Sequence, residues 1–193
     1  SIILTEINNP KYKYLDILKK DIFKIPGSIA KVLKVQNEVS KLANDIYRKS
    51  SCLYLSRGPL FPIALEGALK LKEISYIHAE GFSAGEMKHG PIALIDEDLP
   101  VISIIGNDIH AKKIISNLRE ALARGAKIII FADSSVETDL SFAYNVIRIP
   151  FLNHLLTPII ASIPIQLLAY YVAVSKGTDV DQPKNLAKSV TVE

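Results

Sequence analysis

Short apolar runs of strand length recur along the chain at 52–56, 100–105, 127–131 and 146–149, and segments of helical periodicity at 62–77 and 109–124 separate most of them. Two more helical stretches come first, at 14–24 and 28–49, parted by Pro26-Gly27. The second repeats Val32, Val35, Val39, Leu42, Ala43 and Ile46 at helical spacing. In 107–119, Ile109, Ile114, Ile115 and Leu118 mark one helical face, and Gly125 supplies the stop. A further short strand fits 77–79. Strands alternating with helices indicate a parallel sheet covered on both faces. The pattern predicts an α/β fold, a three-layer α/β/α sandwich with a mainly parallel sheet of about five strands. Residues 14–177 form this domain. The polar stretch 1–13, with Asn8-Asn9-Pro10, reads as a linker, and 178–193 as a C-terminal tail.

The helical segment 62–77 departs from the pattern of a surface helix. Each residue turns about 100°, so with Glu66 at zero Glu73 falls near about −20° and Lys70 near about +40°. Two carboxylates and an ammonium share one narrow stripe. Ile63 and Leu69 flank it, and Leu65, Ala68, Leu71 and Ile74 cover most of the remainder. A helix apolar nearly all round is expected to be buried, with its charged seam facing something other than bulk water, where acid–base chemistry can be tuned. The same spacing also suits ordinary ion pairs, Glu66 with Lys70 and Lys70 with Glu73, which on solvated faces contribute ~0.3–0.5 kcal/mol. The apolar flanks, and the Gly- and His-rich segment that follows, favour a site.

Composition narrows the class. The 193 residues suit one α/β domain with a full core, or two very small ones. A formal charge of +3, with dispersed basic residues and no basic run interleaved with aromatics, speaks against a nucleic-acid surface. The one cysteine, Cys52, lies in the apolar run 52–55 and is expected to be a buried, inert strand residue. It permits no internal disulfide, which fits a cytoplasmic protein. The N-terminus shows no signal-peptide pattern, and it opens on Ser rather than Met, as a processed product or an excised fragment does. Residues 155–174 carry no charge and are long enough to span a bilayer. Pro158, Pro164, Gln166, Thr157 and Ser162, and the place of this segment after a βα alternation, instead predict a helix buried between a sheet and a partner subunit.

In open parallel sheets ligands bind beyond the carboxyl ends of the strands. Ser56-Arg57-Gly58-Pro59 occupies that place between the first strand and the charged helix, but is too poor in glycine for a dinucleotide fingerprint and lacks the GK[ST] of a P-loop. Asp133-Ser134-Ser135 follows another strand and suits either an anion or an ordinary turn. The tail reads by composition as a flexible terminus, and Lys188 stands in it with no acid at helical spacing.

The block PIALEGALKLKEISYIHAEGFSAGEMKHGPIALID and the ending GTDVDQPKNLAKSVTVE closely resemble the isomerising glutamine–fructose-6-phosphate aminotransferases, the glucosamine-6-phosphate synthase family. The resemblance runs from Leu15 to Glu193. It implies the second of that family's two sugar-isomerase (SIS) domains, flavodoxin-like in fold, with the C-terminal tail. The family converts fructose 6-phosphate and ammonia to glucosamine 6-phosphate by opening the sugar ring, forming an imine at carbon 2 and moving a proton between carbons 1 and 2. By resemblance Glu73 is the base that moves the proton, a role that suits a partly desolvated carboxylate. Lys70 stabilises the enediol-like intermediate, and Lys188, beside Ala187, forms the Schiff base with the ketose. Lys70, Glu73, Ala187 and Lys188 are then the sugar-binding residues. His89 matches the ring-opening histidine, which in the family serves the neighbouring subunit, so a homodimer is implied. No metal or other cofactor is implied.

Glu66 and His78 fall in the same block, with a structural role at least as well supported for each. Two departures stand out: Lys184 replaces the arginine of the family's QPRNLAKS tail, losing a planar five-donor group, and Ser56 replaces a glycine before Arg57-Gly58. The family's glutaminase domain and first SIS domain, whose Ser/Thr-rich loop holds the sugar phosphate, have no counterpart in this sequence. The expectation is an isomerase-domain fragment, inactive alone; the alternative is a non-catalytic SIS module that binds a phosphosugar and regulates a partner.

Overall fold

The computed structural model describes residues 2–9, 14–150 and 152–186. In chain order the elements are α1 (Ile2–Asn8), α2 (Tyr14–Ile22), α3 (Ile25–Val32), α4 (Gln36–Ile46), β1 (Ser51–Ser56), α5 (Phe61–Ser75), β2 (His78–Ser83), β3 (Pro100–Ile105), α6 (Ala111–Leu122), β4 (Lys127–Asp133), β5 (Asn145–Ile149) and α7 (Thr157–Lys176). The five strands form one sheet in the order β2-β1-β3-β4-β5, and every pairing is parallel. The chain leaves β1 through α5 to reach β2 on one side, and β3 returns to the other side of β1. That reversal makes the carboxyl ends of β1 and β3 the topological switch point.

Side chains alternate across the sheet. Cys52, Tyr54, Ile102, Ile129 and Phe131 point to the layer built by α4, α5 and α7. Leu53, Leu55, Val101, Ile128 and Ile130 point to α6 and the loops beside it. The three-layer sandwich is therefore present but lopsided, with most of its helical cover on one face. Cys52 is buried as expected, and burial pushes its thiol pKa up, which keeps it an unreactive thiol.

Several boundaries differ from the sequence pattern for physical reasons. Pro26 sits in the first turn of α3 rather than between helices, because that turn needs no N–H from it. Residues 2–8 form a short helix instead of a plain linker, and Lys19 of α2 pairs with Glu6 on it. Ile109 is 88% exposed in the loop before α6, where Asp108 accepts the His110 N–H at 2.7 Å through Oδ1. That carboxylate turn starts the helix two residues later than the apolar spacing suggests.

α7 packs most extensively on α5 and α4. Ile160, Pro164, Ile165, Leu168 and Val172 are buried, while Ile159, Tyr170 and Val174 face outward. By length and composition alone it could cross a membrane, but half of its most apolar window is buried inside this fold. It lies between α4 and α5 in the helical layer that covers Tyr54, Ile102 and Phe131 of the sheet, as the sequence expectation has it on the sheet side. Gly67 lets α5 approach closely: an added Cβ would stand 2.5 Å from Ile165 Cγ2 and 2.6 Å from Tyr54 Cε1.

Candidate active site

The charged stripe is real, but its surroundings are more open than the sequence implies. Ala64, Gly67, Ala68, Leu71 and Ser75 of α5 face the core, while Leu65 and Leu69 are 44% and 43% exposed. α5 packs on β1 and the edge strand β2, so one flank of the helix extends past the sheet. Lys70 Nζ donates to Glu73 Oε2 at 2.8 Å, and both side chains are partly exposed. Glu66 turns away and accepts a bond from Gln166 Nε2 of α7 at 3.3 Å. The hydrogen bond to Glu73 holds the Lys70 pKa above its usual value; partial burial opposes it, and the charges of Glu73 and Glu66 add to it. Lys70 is thus a fixed positive charge with a carboxylate in contact.

The tail completes this place. Gly177, at φ 72°, ends α7 in the left-handed region that glycine adopts without strain. Thr178 Oγ1 then donates to the Ile74 carbonyl at 2.6 Å, tying the chain to the end of α5. Asp179 Oδ1 accepts the N–H groups of Asp181 and Gln182 at 2.9 Å each, bending the chain back. Lys184 N–H donates to the Tyr76 hydroxyl at 2.8 Å. The result is a cleft with Lys70, Glu73 and Ile74 on one wall and Val180, Asp181, Gln182, Pro183 and Leu186 on the other.

Residues 178–186 are therefore docked, contrary to the flexible terminus that composition suggests. Ala187 and Lys188 lie outside the described residues. Lys184 places its ammonium 4.4 Å from the Tyr76 ring centroid, a cation–π contact that does not require arginine's planar fork. Tyr76→Phe is expected to loosen this docking by about 1 kcal/mol, the usual net worth of one hydrogen bond. Faster amide exchange at residues 178–186, with unchanged exchange in the sheet, checks it.

The other sequence candidates are placed elsewhere. His89 ends a 3-10 turn, Met87–His89, anchored by the buried Met87. It is exposed and does not line the Lys70–Glu73 cleft. His78 is exposed, with Nε2 3.5 Å from Glu80 Oε1, which is a surface contact. The loop after β1 is locked rather than open: Ser56 Oγ donates to the Ile104 carbonyl at 2.7 Å, and Arg57 donates to Asn117 Oδ1 at 3.0 Å. A Cβ on Gly85 would fall 2.5 Å from that guanidinium, so Arg57 props the loop leading to His89. Neither this brace nor the Tyr76 clasp on the tail has a local sequence signal, since each joins residues far apart in the chain.

The parallel sheet, its switch point and the charged helix beside β1 define the class, and residues 45–176 match the SIS domain family, to which the chain belongs. Within it, the chain is 52% identical over 174 residues to a glutamine–fructose-6-phosphate aminotransferase [isomerizing] of Legionella pneumophila, covering 90% of this chain. It is 48% identical over 176 residues to the enzyme of the same name from Pseudomonas aeruginosa, covering 91%. The solved C-terminal domain of glucosamine-fructose-6-phosphate aminotransferase from Francisella tularensis is similar at a TM-score of 0.80 and 41% identity, over 88% of this chain and 47% of that one. The chain spans 29% of the length of these two curated relatives.

Proposed function

We propose that this chain is the C-terminal isomerase portion of a glutamine–fructose-6-phosphate aminotransferase, acting on fructose 6-phosphate to form glucosamine 6-phosphate. The observation that carries this reading is the cleft in which an ion-paired carboxylate and ammonium, Glu73 and Lys70, face the folded-back tail. That tail ends its described course at Leu186, two residues before Lys188. The relatives named above support the choice of reaction.

In this reading the Lys188 amine adds to the carbon 2 carbonyl of the open sugar, and water leaves to give the Schiff base. Ammonia displaces the lysine, giving the imine of the sugar. The Glu73 carboxylate then takes a proton from carbon 1 while the imine nitrogen gains one, and returns its proton to carbon 2 while the carbon 1 hydroxyl loses one to become the aldehyde. The Lys70 charge stabilises the electron-rich intermediate between those two transfers, and its bond to Glu73 fixes the carboxylate in place. His89 opens the sugar ring in the site of a second subunit, so the working form is a homodimer in the cytoplasm. The phosphate is held by the upstream region that the relatives possess.

The test is an activity assay on a polypeptide extended by that upstream region. The extended protein is expected to make glucosamine 6-phosphate from fructose 6-phosphate and ammonia, and the 193-residue chain alone to be essentially inactive. Robust turnover by the isolated chain would refute the division of labour.

A further inference from the structure

Arg57 stands between β1 and α5, and the proposed reaction makes no use of it. Its Nη2 donates to Asn117 Oδ1 of α6 at 3.0 Å, and Asn117 is itself 5% exposed. The Nε of the same guanidinium is buried with no partner among the described residues. A buried N–H without an acceptor costs stability, and such a group calls for a reason beyond filling space.

The pairing of β1 with β2 shows what the guanidinium supports. Ser56 lies opposite Ser83 at the carboxyl ends of these two parallel strands, so Arg57 and Ala84-Gly85 leave the sheet side by side. The Ala84 N–H donates to the Ser56 carbonyl at 2.9 Å. At Gly85 the three atoms nearest an added Cβ all belong to the Arg57 guanidinium, at 2.5, 3.0 and 3.2 Å. Glycine is what lets the fork lie against the backbone there. Beyond it the Glu86 N–H donates to the Ser83 carbonyl at 2.8 Å, and the His89 N–H to the Glu86 carbonyl at 2.9 Å. Met87 pins the same turn in the core at 0% exposure. A Cβ on Gly90, which follows His89, would meet nothing within 4 Å, so the placement of His89 is set from the Gly85 side.

We infer, on the reading that His89 opens the sugar ring in a second subunit's site, that Arg57 is a positioning residue for His89. Braced on Asn117, its guanidinium fixes the 84–89 segment so that the imidazole is presented to that subunit. A rigid planar fork suits this task better than the flexible ammonium of a lysine. Arg57 therefore acts on the site of the other subunit, although α5 of its own chain begins only a few residues later.

Mixed dimers of the extended protein, isolated by two different tags, test this. Arg57→Ala alone is expected to lower the rate of glucosamine 6-phosphate formation about ten- to a hundredfold, the cost of misplacing a reacting group by about 1 Å. Paired with a Glu73→Gln subunit, it leaves one site with an intact Glu73 and a well-placed His89, and about half of the native rate should return. Paired with a His89→Asn subunit, it leaves one site without His89 and the other with a misplaced one. The rate should then stay at or below that of Arg57→Ala alone. An undiminished rate in Arg57→Ala overturns the inference. So does the opposite pattern, which assigns Arg57 to its own chain's cleft, and so does recovery in both pairings or in neither. The pair Glu73→Gln with His89→Asn is the control. If it fails to recover, the reading of His89 falls and takes the role of Arg57 with it; if it recovers while the Arg57 pattern does not hold, the role of Arg57 alone falls. Should Arg57→Ala fail to fold, Gly85→Ala carries the same expectation in both pairings, because its Cβ displaces the guanidinium from the loop.

Discussion

Replacing Glu73 with glutamine in the extended protein is expected to lower the rate of glucosamine 6-phosphate formation by about 10²–10⁴-fold, the usual contribution of a positioned general base. The change is conservative in every other respect. Glutamine has the same length, and its amide oxygen can still accept the bond that Lys70 Nζ now gives to Glu73 Oε2 at 2.8 Å. The helix keeps its buried face of Ala64, Gly67, Ala68 and Leu71, so stability should move little. Substrate affinity should also hold, because the lost group acts on the proton and not on the phosphate. Exchange of the carbon 1 proton with deuterated solvent should fall with the rate. If Lys70 and Glu73 form only a surface ion pair, the variant loses ~0.2–1 kcal/mol of stability at most and keeps its activity.

The second large effect concerns His89. Mixed dimers of Glu73→Gln and His89→Asn subunits are expected to recover activity that neither variant shows alone. In such a dimer, one site pairs an intact Glu73 with the intact His89 of the other subunit, and the second site lacks both. Random association makes half the dimers mixed, so recovery should reach about a quarter of the native rate for a two-fold symmetric assembly. The structure motivates this because His89 is exposed and apart from its own Lys70–Glu73 cleft. If His89 serves its own chain, both sites of the mixed dimer are broken and no activity returns. Co-expression with two different tags, followed by purification on both, isolates the mixed dimer, which should reach about half of the native rate.

What was legible in the sequence is what depends on neighbours within a turn or two. Lys70 and Glu73 meet because they are three residues apart on a helix, and the spacing alone implied it. The core strands β1, β3 and β4 announced themselves as apolar runs because both faces of a parallel sheet are covered. The edge strand β2 was visible only as a fragment near 77–79. His78, Glu80, Gly81 and Ser83 carry little strand propensity, and it is the register with β1 that makes 78–83 a strand. Leu65 and Leu69 looked buried because helical periodicity cannot say that α5 sits at a sheet edge. The tail was illegible for a similar reason. Its clasp joins Lys184 to Tyr76, 108 residues away, and Thr178 to Ile74, 104 residues away. Composition reports neither, although the family resemblance had already given Lys188 a task. Of the two readings open for Asp133-Ser134-Ser135, an anion site or an ordinary turn, the turn is present, with Asp133 Oδ1 accepting the Ser135 N–H and hydroxyl.

Lys188 is proposed to react covalently with the ketose in the cleft of Lys70 and Glu73, next to the folded-back residues 178–186. Borohydride reduction of the extended protein in the presence of fructose 6-phosphate, followed by peptide mass spectrometry, tests it most directly. A reduced sugar-phosphate adduct on the peptide containing Lys188, absent from a Lys188→Arg variant, is the predicted result. Tight binding of fructose 6-phosphate with no adduct at Lys188 would contradict it, and would leave a module that binds a phosphosugar without transforming it.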